Sequence, residues 1–351
     1  MLSNTDVAEL LARQAERESG ILSRAFRRAA RSAFLWPEEV AQVAAQNRSL
    51  TELHSIGPFI EKQIQGWLDK PPQLNKKIPE NRRNFISLAK ARQLLAIRPA
   101  WSKKLRGDLQ MHTRWSDGSG TIAEMADAAK ERSYSYIAIT DHSKGLKIAG
   151  GIDEPTLKKQ GVEIGKINTL SSNLGGRLTV LRSIEMNLDP RGQGDMSPKS
   201  LSTLDLVLGA FHSSLRRSED QTERYLAALR NPNIQILAHP RGRIYNYRVG
   251  LKADWPRVFA EAARLDKALE IDCYPDRQDL NVALLRIART HRTRISLGTD
   301  AHHPWQLEFI ELGLAAALLA RIAPERIVNF TPLADVKRWV KKVRDRGARE
   351  R

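Results

Sequence analysis

The sequence has little or none of what several classes of protein require. Cys273 is the only cysteine among 351 residues. Neither an intrachain disulfide nor a zinc site made of thiolates can therefore form. The motifs H-E-x-x-H, G-x-S-x-G and G-x-x-x-x-G-K-[ST] are also absent from the chain. Their absence disfavours a zincin-type peptidase and gives no sign of a serine hydrolase or a P-loop nucleotide-binding protein.

Long apolar runs are missing as well. The most apolar stretch, "LGLAAALLARIA", is interrupted by Arg321 and is too short to cross a bilayer. The first residues, "MLSNTDVAELLARQAERE", carry charges throughout and lack the apolar segment of a signal peptide. With 41% hydrophobic and 6% aromatic residues, the composition is that of a globular protein with a sizeable core. We expect a soluble protein of the reducing cytoplasm.

Acidic residues are fewer than basic residues. The 57 Lys and Arg residues outnumber the 40 Asp and Glu residues, and the formal net charge is +17. Such an excess favours an acidic partner, of which nucleic acid is the commonest. The alternative is a basic surface that serves only solubility.

The chain divides into four parts by composition. Residues 1–70 alternate apolar and charged positions at helical spacing, which predicts a small all-helical domain. Residues 71–104 are rich in Pro, Asn and basic side chains and predict a basic linker with one helix around Phe85 to Leu95. Residues 105–345 form the large domain, and residues 346–351 form a basic tail.

Short β-prone runs alternate with amphipathic helical segments throughout the large domain. The runs are "YIAIT", "LTVLRSIEM", "LDLVLGAFH", "IQILAHP", "ALEIDCYP" and "RISLGTD". Repeated strand and helix units predict parallel strands with helices outside, and a closed or nearly closed (β/α) barrel is the simplest such arrangement. The predicted fold class is α/β.

Polar side chains follow these runs where a barrel places its functional face, at the carboxyl ends of the strands. Any single histidine there could simply bond a loop carbonyl, but five of the eight histidines follow a β-prone run. The residues concerned are Gln110, His112, Asp141, His142, Glu185, His212, His239, Asp300 and His302. Together they predict a metal site for Zn, Mn or Fe, because imidazole and carboxylate ligands suit these ions. Two or three ions could be accommodated, and phosphate ester hydrolysis is the natural reaction of such a cluster.

The motifs "DLQMHTRWSDG", "ITDHS", "IEMN", "GAFHSS", "LAHPRGR", "YPDRQDL" and "GTDAH" resemble, in this order, the PHP (polymerase and histidinol phosphatase) superfamily. The resemblance is to the PHP domain of bacterial family X DNA polymerases, and it covers about residues 105 to 345. It implies a distorted (β/α)7 barrel with a trinuclear Mn or Zn site, with Glu185 as the bridging ligand. The implied ligands are His112, Asp117, His142, Glu185, His212, His239, Asp300 and His302. Gln110 stands where the superfamily usually has a histidine and is the ninth candidate.

The first part of the chain also resembles the start of family X polymerases. In "SLTELHSIGPFIEKQIQGWL" a helix-hairpin-helix is recognisable, whose backbone amides at a glycine turn hold a DNA phosphate. Ser55 replaces the usual first glycine, Gly57 is kept, and Pro58 removes one N–H donor. Ser55, Gly57 and Lys62 are the candidate DNA contacts. The alternative is a helical hairpin used only for packing.

A polymerase palm is missing between these two parts. A palm needs three catalytic acids, and Glu80 is the only acidic residue between Asp69 and Asp108. The sequence therefore predicts an enzyme without polymerase activity.

The combined prediction is a metal-dependent phosphoesterase acting on DNA, as a 3′→5′ exonuclease or a 3′-end phosphatase in DNA repair, with abasic-site cleavage as a further alternative. Arg241, Arg243 and Arg277 are candidates to clamp the phosphate beside Glu185, although each could equally form a surface salt bridge. Two alternatives stay open. One is a small-molecule phosphatase of the histidinol phosphate type, and the other is a DNA-binding module with a structural metal.

Overall fold

The structure is a computed structural model that describes residues 1–74, 78–173 and 175–349. Residues 75–77 of the predicted linker and residues 350–351 of the predicted tail lie outside these ranges. Within them, no helix combines the length and the apolar character needed to cross a bilayer.

The N-terminal part is all-helical, as the sequence predicts. Its helices are α1 (Asn4–Arg17), α2 (Gly20–Ser32), α3 (Val40–Ala45) and α4 (Pro58–Asp69). A capping box starts α1, in which the Ser3 hydroxyl accepts from the Asp6 amide while the Asp6 carboxylate accepts from the Ser3 amide. Val7, Leu11, Phe26 and Phe34 lie in the core that these helices bury.

The described residues of the predicted linker include the helices α5 (Leu88–Ile97) and α6 (Pro99–Ser102). The first begins three residues later than predicted, because the Ser87 hydroxyl accepts from the amide of Lys90 and caps it there. Leu88 and Leu95 lie in the barrel's core. Arg82 extends the contact in the other direction, with its Nε 3.0 Å from Glu9 Oε2 of α1. The segment thus packs against both of its neighbours.

The large domain is a closed parallel barrel. Its strands are β1 (Gly107–Asp108), β2 (Tyr136–Ile139), β3 (Thr179–Arg182), β4 (Glu185–Asn187), β5 (Leu208–Ala210), β6 (Ile236–Leu237), β7 (Ala268–Asp272) and β8 (Arg294–Gly298). They form parallel sheets in the orders β1-β2-β3 and β4-β5-β6-β7-β8. A bridge from His142 to Glu185 joins the two sheets, and the bond from the Leu109 amide to the Leu297 carbonyl closes the ring. Because β3 and β4 are one strand interrupted at residues 183 and 184, the barrel has seven strands within the described residues. The predicted (β/α)7 fold is thus confirmed.

Helices surround the barrel and close one end of it. They are α7 (Ile122–Glu131), α8 (Glu154–Asn173), α9 (Pro198–Leu201), α10 (Thr222–Arg230), α11 (Trp255–Arg264), α12 (Val282–Thr290), α13 (Ile310–Leu319) and α14 (Leu333–Arg349). Trp339 and Val343 of α14 pack with Leu208, Ile236 and Ala268 from the first half of the barrel strands. The amino-terminal end of the barrel is therefore filled, which leaves the carboxyl ends of the strands for the site. Residues 346–349 of the predicted tail continue α14.

Candidate metal centre

The polar residues predicted to follow the strands do meet at one end of the barrel. Glu185 lies at their centre, fully buried, and each of its oxygens faces two imidazoles. Oε1 is 2.5 Å from His239 Nε2 and 3.2 Å from His212 Nε2. Oε2 is 3.1 Å from His142 Nδ1 and 3.3 Å from His112 Nε2. A carboxylate placed in this way can join two ions.

Asp117 lies on the solvent side of Glu185, next to His302, the fifth histidine of the cluster. Its Oδ1 lies 3.4 Å from His302 Nε2, 3.6 Å from His142 Nε2 and 4.0 Å from His112 Nδ1. Its side chain is 35% exposed, whereas the side chain of Glu185 is fully buried. The cluster is therefore open toward solvent at Asp117.

Asp300 closes the cluster on the side of β8. Its Oδ1 is 3.0 Å from His112 Nε2, and its Oδ2 accepts from Arg277 Nη1 at 2.6 Å. Burial alone would raise the pKa of Asp300, but Arg277 and the nearby histidines hold it well below its usual value. Asp300 is therefore held in its ionised form, which is the form that binds a cation.

The burial of unsatisfied polar atoms fits a divalent ion. Glu185 Oε2, both ring nitrogens of His112, His142 Nδ1 and His212 Nε2 are buried without a hydrogen-bond partner. Leaving such atoms without partners costs free energy, and ion binding is a common reason why they persist. Three overlapping groups have ligand atoms within 4.8 Å of one another: His112, Asp117, His142 and His302; His142, Glu185 and His212; His112, Glu185 and Asp300. The donor set of imidazole and carboxylate suits Zn, Mn or Fe.

Neighbouring groups orient several of these ligands. Asn187 Oδ1 lies 3.1 Å from His212 Nδ1, which leaves the Nε2 of that ring for Glu185 and the centre. The carbonyl of Asp300 lies 2.7 Å from His302 Nδ1. Such partners fix the ring orientation of metal-binding histidines. Asp141, which the sequence placed beside His142, instead accepts from Thr113 and Gln160 and organises the loop.

Two residues of the cluster adopt the left-handed conformation that non-glycine residues rarely occupy. The φ angle is +26° at His239 and +52° at Asp300. Backbone strain of this kind persists where the surroundings impose it, and it concentrates at functional sites. The strain therefore coincides with the predicted centre.

Sequence reasoning missed two acidic residues beneath the cluster, Glu270 and Asp272 of β7. Both are fully buried, and Glu270 Oε2 accepts from the His239 amide at 2.7 Å. Burial raises the pKa of Glu270 well above its usual value, and the charge of Asp272 raises it further. The alternation in "ALEID" could have revealed these two acids. Glu270 and Asp272 alternate with Leu269 and Ile271 of the outer core, so both acids face the interior of the barrel.

Gln110 lies on the floor of the centre against Glu270. With its amide oriented to donate, the nitrogen lies 2.5 and 2.7 Å from the two Glu270 oxygens. The amide thus supports Glu270, which in turn holds the His239 backbone. Direct coordination of an ion by Gln110 stays a prediction.

The three predicted arginines have different positions. Arg277 bonds Asp300 and reaches the centre. Arg241 instead donates from Nη2 to the Val249 carbonyl at 2.8 Å. Arg243 is only 4% exposed, and its guanidinium lies 3.7 Å from the ring centroid of Phe85 and donates to the Arg83 carbonyl. Both side chains hold backbone segments together, and a role for Arg241 and Arg243 in clamping a phosphate stays a prediction.

In the predicted hairpin, a short 3-10 helix (Leu50–Glu52) precedes the turn and α4 follows it. Ser55 has φ +66°, the conformation that favours the glycine it replaces, and Gly57 is the N-cap of α4. No atom lies within 4 Å of the position that a Cβ on Gly57 would occupy, and Lys62 is exposed. The turn therefore keeps its shape and is open to solvent, and DNA contact there stays a prediction.

A closed parallel barrel whose strand ends hold five imidazoles and three carboxylates around one point defines a metal-binding (β/α) barrel. Residues 108–270 match the family model described as the PHP domain. This part of the chain is a PHP domain, and the family is one of metal-dependent phosphoesterases and phosphatases.

Similar proteins differ in their length and in their names. A protein of Bacillus subtilis named "DNA polymerase/3'-5' exonuclease PolX" is 34% identical over 240 residues, which are 68% of this chain and 41% of that protein. The chain thus spans less than half of the length of that relative. A "probable phosphatase" of Syntrophotalea carbinolica is 27% identical over 65% of this chain and 93% of its own length. The "probable phosphatase YcdX" of Escherichia coli is 24% identical over 64% and 90%.

Among solved structures, the histidinol phosphate phosphatase of Lactococcus lactis, complexed with zinc, L-histidinol and phosphate, covers 61% of this chain and 93% of its own. The sequence identity is 16% and the TM-score is 0.42.

Proposed function

We propose that this protein hydrolyses phosphoester bonds in DNA, as a 3′→5′ exonuclease or a 3′-end phosphatase in DNA repair, with two or three Mn or Zn ions at the centre. The ligands would be His112, Asp117, His142, Glu185, His212, His239, Asp300 and His302. Bound divalent ions would supply Lewis-acid stabilisation of the phosphoryl group and of an attacking water.

A basic and aromatic rim at the centre supports DNA as the substrate. It consists of Arg216, Tyr247, Arg248 and Arg277. Arg277 donates to Asp300. Burial lowers the pKa of Arg248, and the charge of the nearby Arg277 lowers it further. Tyr247 is 54% exposed, and the Arg216 guanidinium lies 5.1 Å from its ring centroid and donates to its hydroxyl. Arginines beside an exposed aromatic ring suit a nucleic-acid strand, whose phosphates pair with guanidinium and whose bases stack.

The chain's residues would divide the work as follows. Arg277 would hold Asp300 in place and offer its remaining N–H groups to a phosphate oxygen, because its side chain is 34% exposed. Arg216 and Tyr247 would position the nucleotide next to the scissile bond. Asn187 would keep the ring of His212 turned toward Glu185. The name of the Bacillus subtilis relative and the net charge of +17 support a DNA substrate.

The test is an incubation of the Mn-loaded protein with a 5′-labelled oligonucleotide, a 3′-phosphorylated oligonucleotide and an abasic-site duplex. A ladder or 3′-phosphate release is expected. Tyr247→Ala should raise the KM for the oligonucleotide about tenfold, since one base–aromatic stack contributes about 1–3 kcal/mol, and should leave hydrolysis of p-nitrophenyl phosphate unchanged. Leu170→Ala, at an exposed apolar residue of α8, is the control. Activity on p-nitrophenyl phosphate with none on any DNA would favour the small-molecule phosphatase instead, and no hydrolysis at all would favour a structural metal.

A further inference from the structure

Two adjoining cavities lie on the barrel away from the metal centre. One, of about 490 Å³, lies between α5, α6 and the end of α13 and has Leu94, Ile97 and Trp101 in its wall. The other, of about 230 Å³, lies at the loop that leads into β8. Ile322 and Ala323 belong to both linings, so the two cavities lie side by side.

The position of the second cavity separates this pair from the metal centre. Thr293 lines it and immediately precedes β8, whereas the ligand Asp300 follows the other end of that strand. Seven residues at about 3.3 Å each put roughly 20 Å between them. A ligand in these cavities would not touch the metal ligands.

Arginines without a carboxylate partner line both cavities. They are Arg98 and Arg321 in the larger one and Arg289, Arg292 and Arg326 in the smaller one. Among the described residues, none of the five takes part in a side-chain ion pair or hydrogen bond. The nearby Arg294, in contrast, pairs with Asp266 at 2.8 Å.

Arg326 lies in an environment that is unfavourable for its charge. Its Nε is buried without a hydrogen-bond partner. Burial lowers the pKa of Arg326, and the charges of Arg294 and Arg292 lower it further. Glu325 is the one carboxylate in the lining of the smaller cavity. A concentration of arginines that form no ion pair within the described residues is suited to an anion.

The larger cavity supplies a different environment. The indole N–H of Trp101 donates to the Leu314 carbonyl, so the ring presents its apolar body to the cavity. Ile97 beside it is 75% exposed. The volume falls within the range of about 300–1,000 Å³ typical of small-molecule sites. An apolar ring would fit here, next to the arginines.

We infer that these cavities form a second ligand site, which binds a nucleotide with its base against Trp101 and Ile97 and its phosphate on Arg292, Arg321 and Arg326. The nucleotide is either a free nucleoside phosphate or part of a single DNA strand. The site does not depend on the proposed function of the metal centre.

Calorimetric titration of the full chain tests the site with four probes: dAMP, deoxyadenosine, inorganic phosphate and a short single-stranded oligonucleotide. We expect dAMP or the oligonucleotide to bind more tightly than the two fragments. Arg292→Glu and Arg321→Glu, each at an exposed position, should separately weaken that binding by about tenfold or more, since each loses a hydrogen bond to a charged phosphate. Arg177→Glu, an exposed arginine outside both cavities, makes the same charge change and is the control.

Hydrolysis of p-nitrophenyl phosphate by both cavity variants should equal that of the unmodified protein, which separates this site from the metal centre. Loss of dAMP binding identifies a free nucleotide as the ligand, and loss confined to the oligonucleotide identifies a strand. Equal binding by the cavity variants and Arg177→Glu overturns the inference. Absence of binding by all four probes also overturns it.

Discussion

His212 is the most exposed of the four imidazoles around Glu185, at 16% of its side-chain surface. Its replacement therefore disturbs the core least. We predict that His212→Ala keeps the fold and lowers phosphoester hydrolysis by about 100-fold or more, as expected when a ligand of a catalytic cluster is lost. Hydrolysis of a small phosphate ester by protein loaded with Mn or Zn measures the effect, and circular dichroism checks the fold.

His291→Ala provides the matched control, because His291 caps the end of α12 and belongs to none of the ligand groups. This variant should retain its activity. Full activity of metal-loaded His212→Ala would contradict the assignment of His212 to the centre. Asp300→Ala is a weaker test, since it also leaves Arg277 without its partner.

Gln110 is the residue at which the chain departs from the usual pattern of its superfamily. An amide is a weaker cation ligand than imidazole, so the ion nearest to Gln110 should exchange readily and Mn should compete well there. We predict that protein as purified is short of one metal and is activated by added Mn. Gln110→His should raise the metal content and reduce the Mn requirement, because an imidazole can bind an ion and still donate to Glu270.

Elemental analysis and activity against added Mn give the two readouts for Gln110→His. Gln110→Ala serves as its control, because it removes the amide without adding a ligand. Equal occupancy and equal activation curves for the unmodified protein and Gln110→His would mean that residue 110 lies outside the coordination sphere.

At the scale of elements, the turn before α4 is the predicted DNA contact of the helical domain. Deleting residues 1–70 is a poor test, because Tyr245 of the barrel packs in the same core as Phe34 and would become exposed. A single charge change is cleaner. We predict that Lys62→Glu weakens DNA binding and reduces the slope of log affinity against log salt by about 1.

Fluorescence anisotropy with a labelled duplex at several salt concentrations measures this slope. Lys166→Glu, on the exposed side of α8, makes the same charge change away from the hairpin. Turnover of a small phosphate ester should be unaffected by either variant. An unchanged slope for Lys62→Glu would leave the hairpin a packing element only.

At the scale of the whole molecule, the centre presents buried carboxylates to an ion only when the chain is folded. Glu185 and Asp300 are buried, and Glu185 Oε2 has no hydrogen-bond partner. An ion that binds only the folded chain stabilises it by about 2.7 kcal/mol at 100 times its Kd. We predict that Mn or Zn raises the Tm by about 5 °C and that a chelator reverses the change.

Differential scanning calorimetry of apo and loaded protein checks the prediction, with Mg as a comparison ion. Mg should shift the Tm less, because it prefers oxygen ligands and several of these are imidazoles. His212→Ala should show a smaller shift than His291→Ala. Identical Tm values for apo and loaded protein would indicate that no ion binds at the centre.

Local patterns in the sequence determined the parts of this protein that repeat at short range. The alternation of β-prone and amphipathic segments predicts the barrel, because a right-handed strand and helix unit leaves few alternatives. The same regularity puts His142, His212 and His239 at one end, since parallel strands all finish on the same edge. Nothing beyond the order of residues was needed for this step.

The tertiary structure alone decided which polar residues serve the centre and which serve the scaffold. Arg241, Arg243 and Arg277 look alike in sequence, yet only Arg277 reaches a ligand, because loop conformation directs the other two to backbone carbonyls. Glu270 gains its place beneath His239 from the interior of the barrel. Such assignments depend on side-chain direction and on contacts between residues far apart in the chain. Local sequence propensity contains no information about either of them.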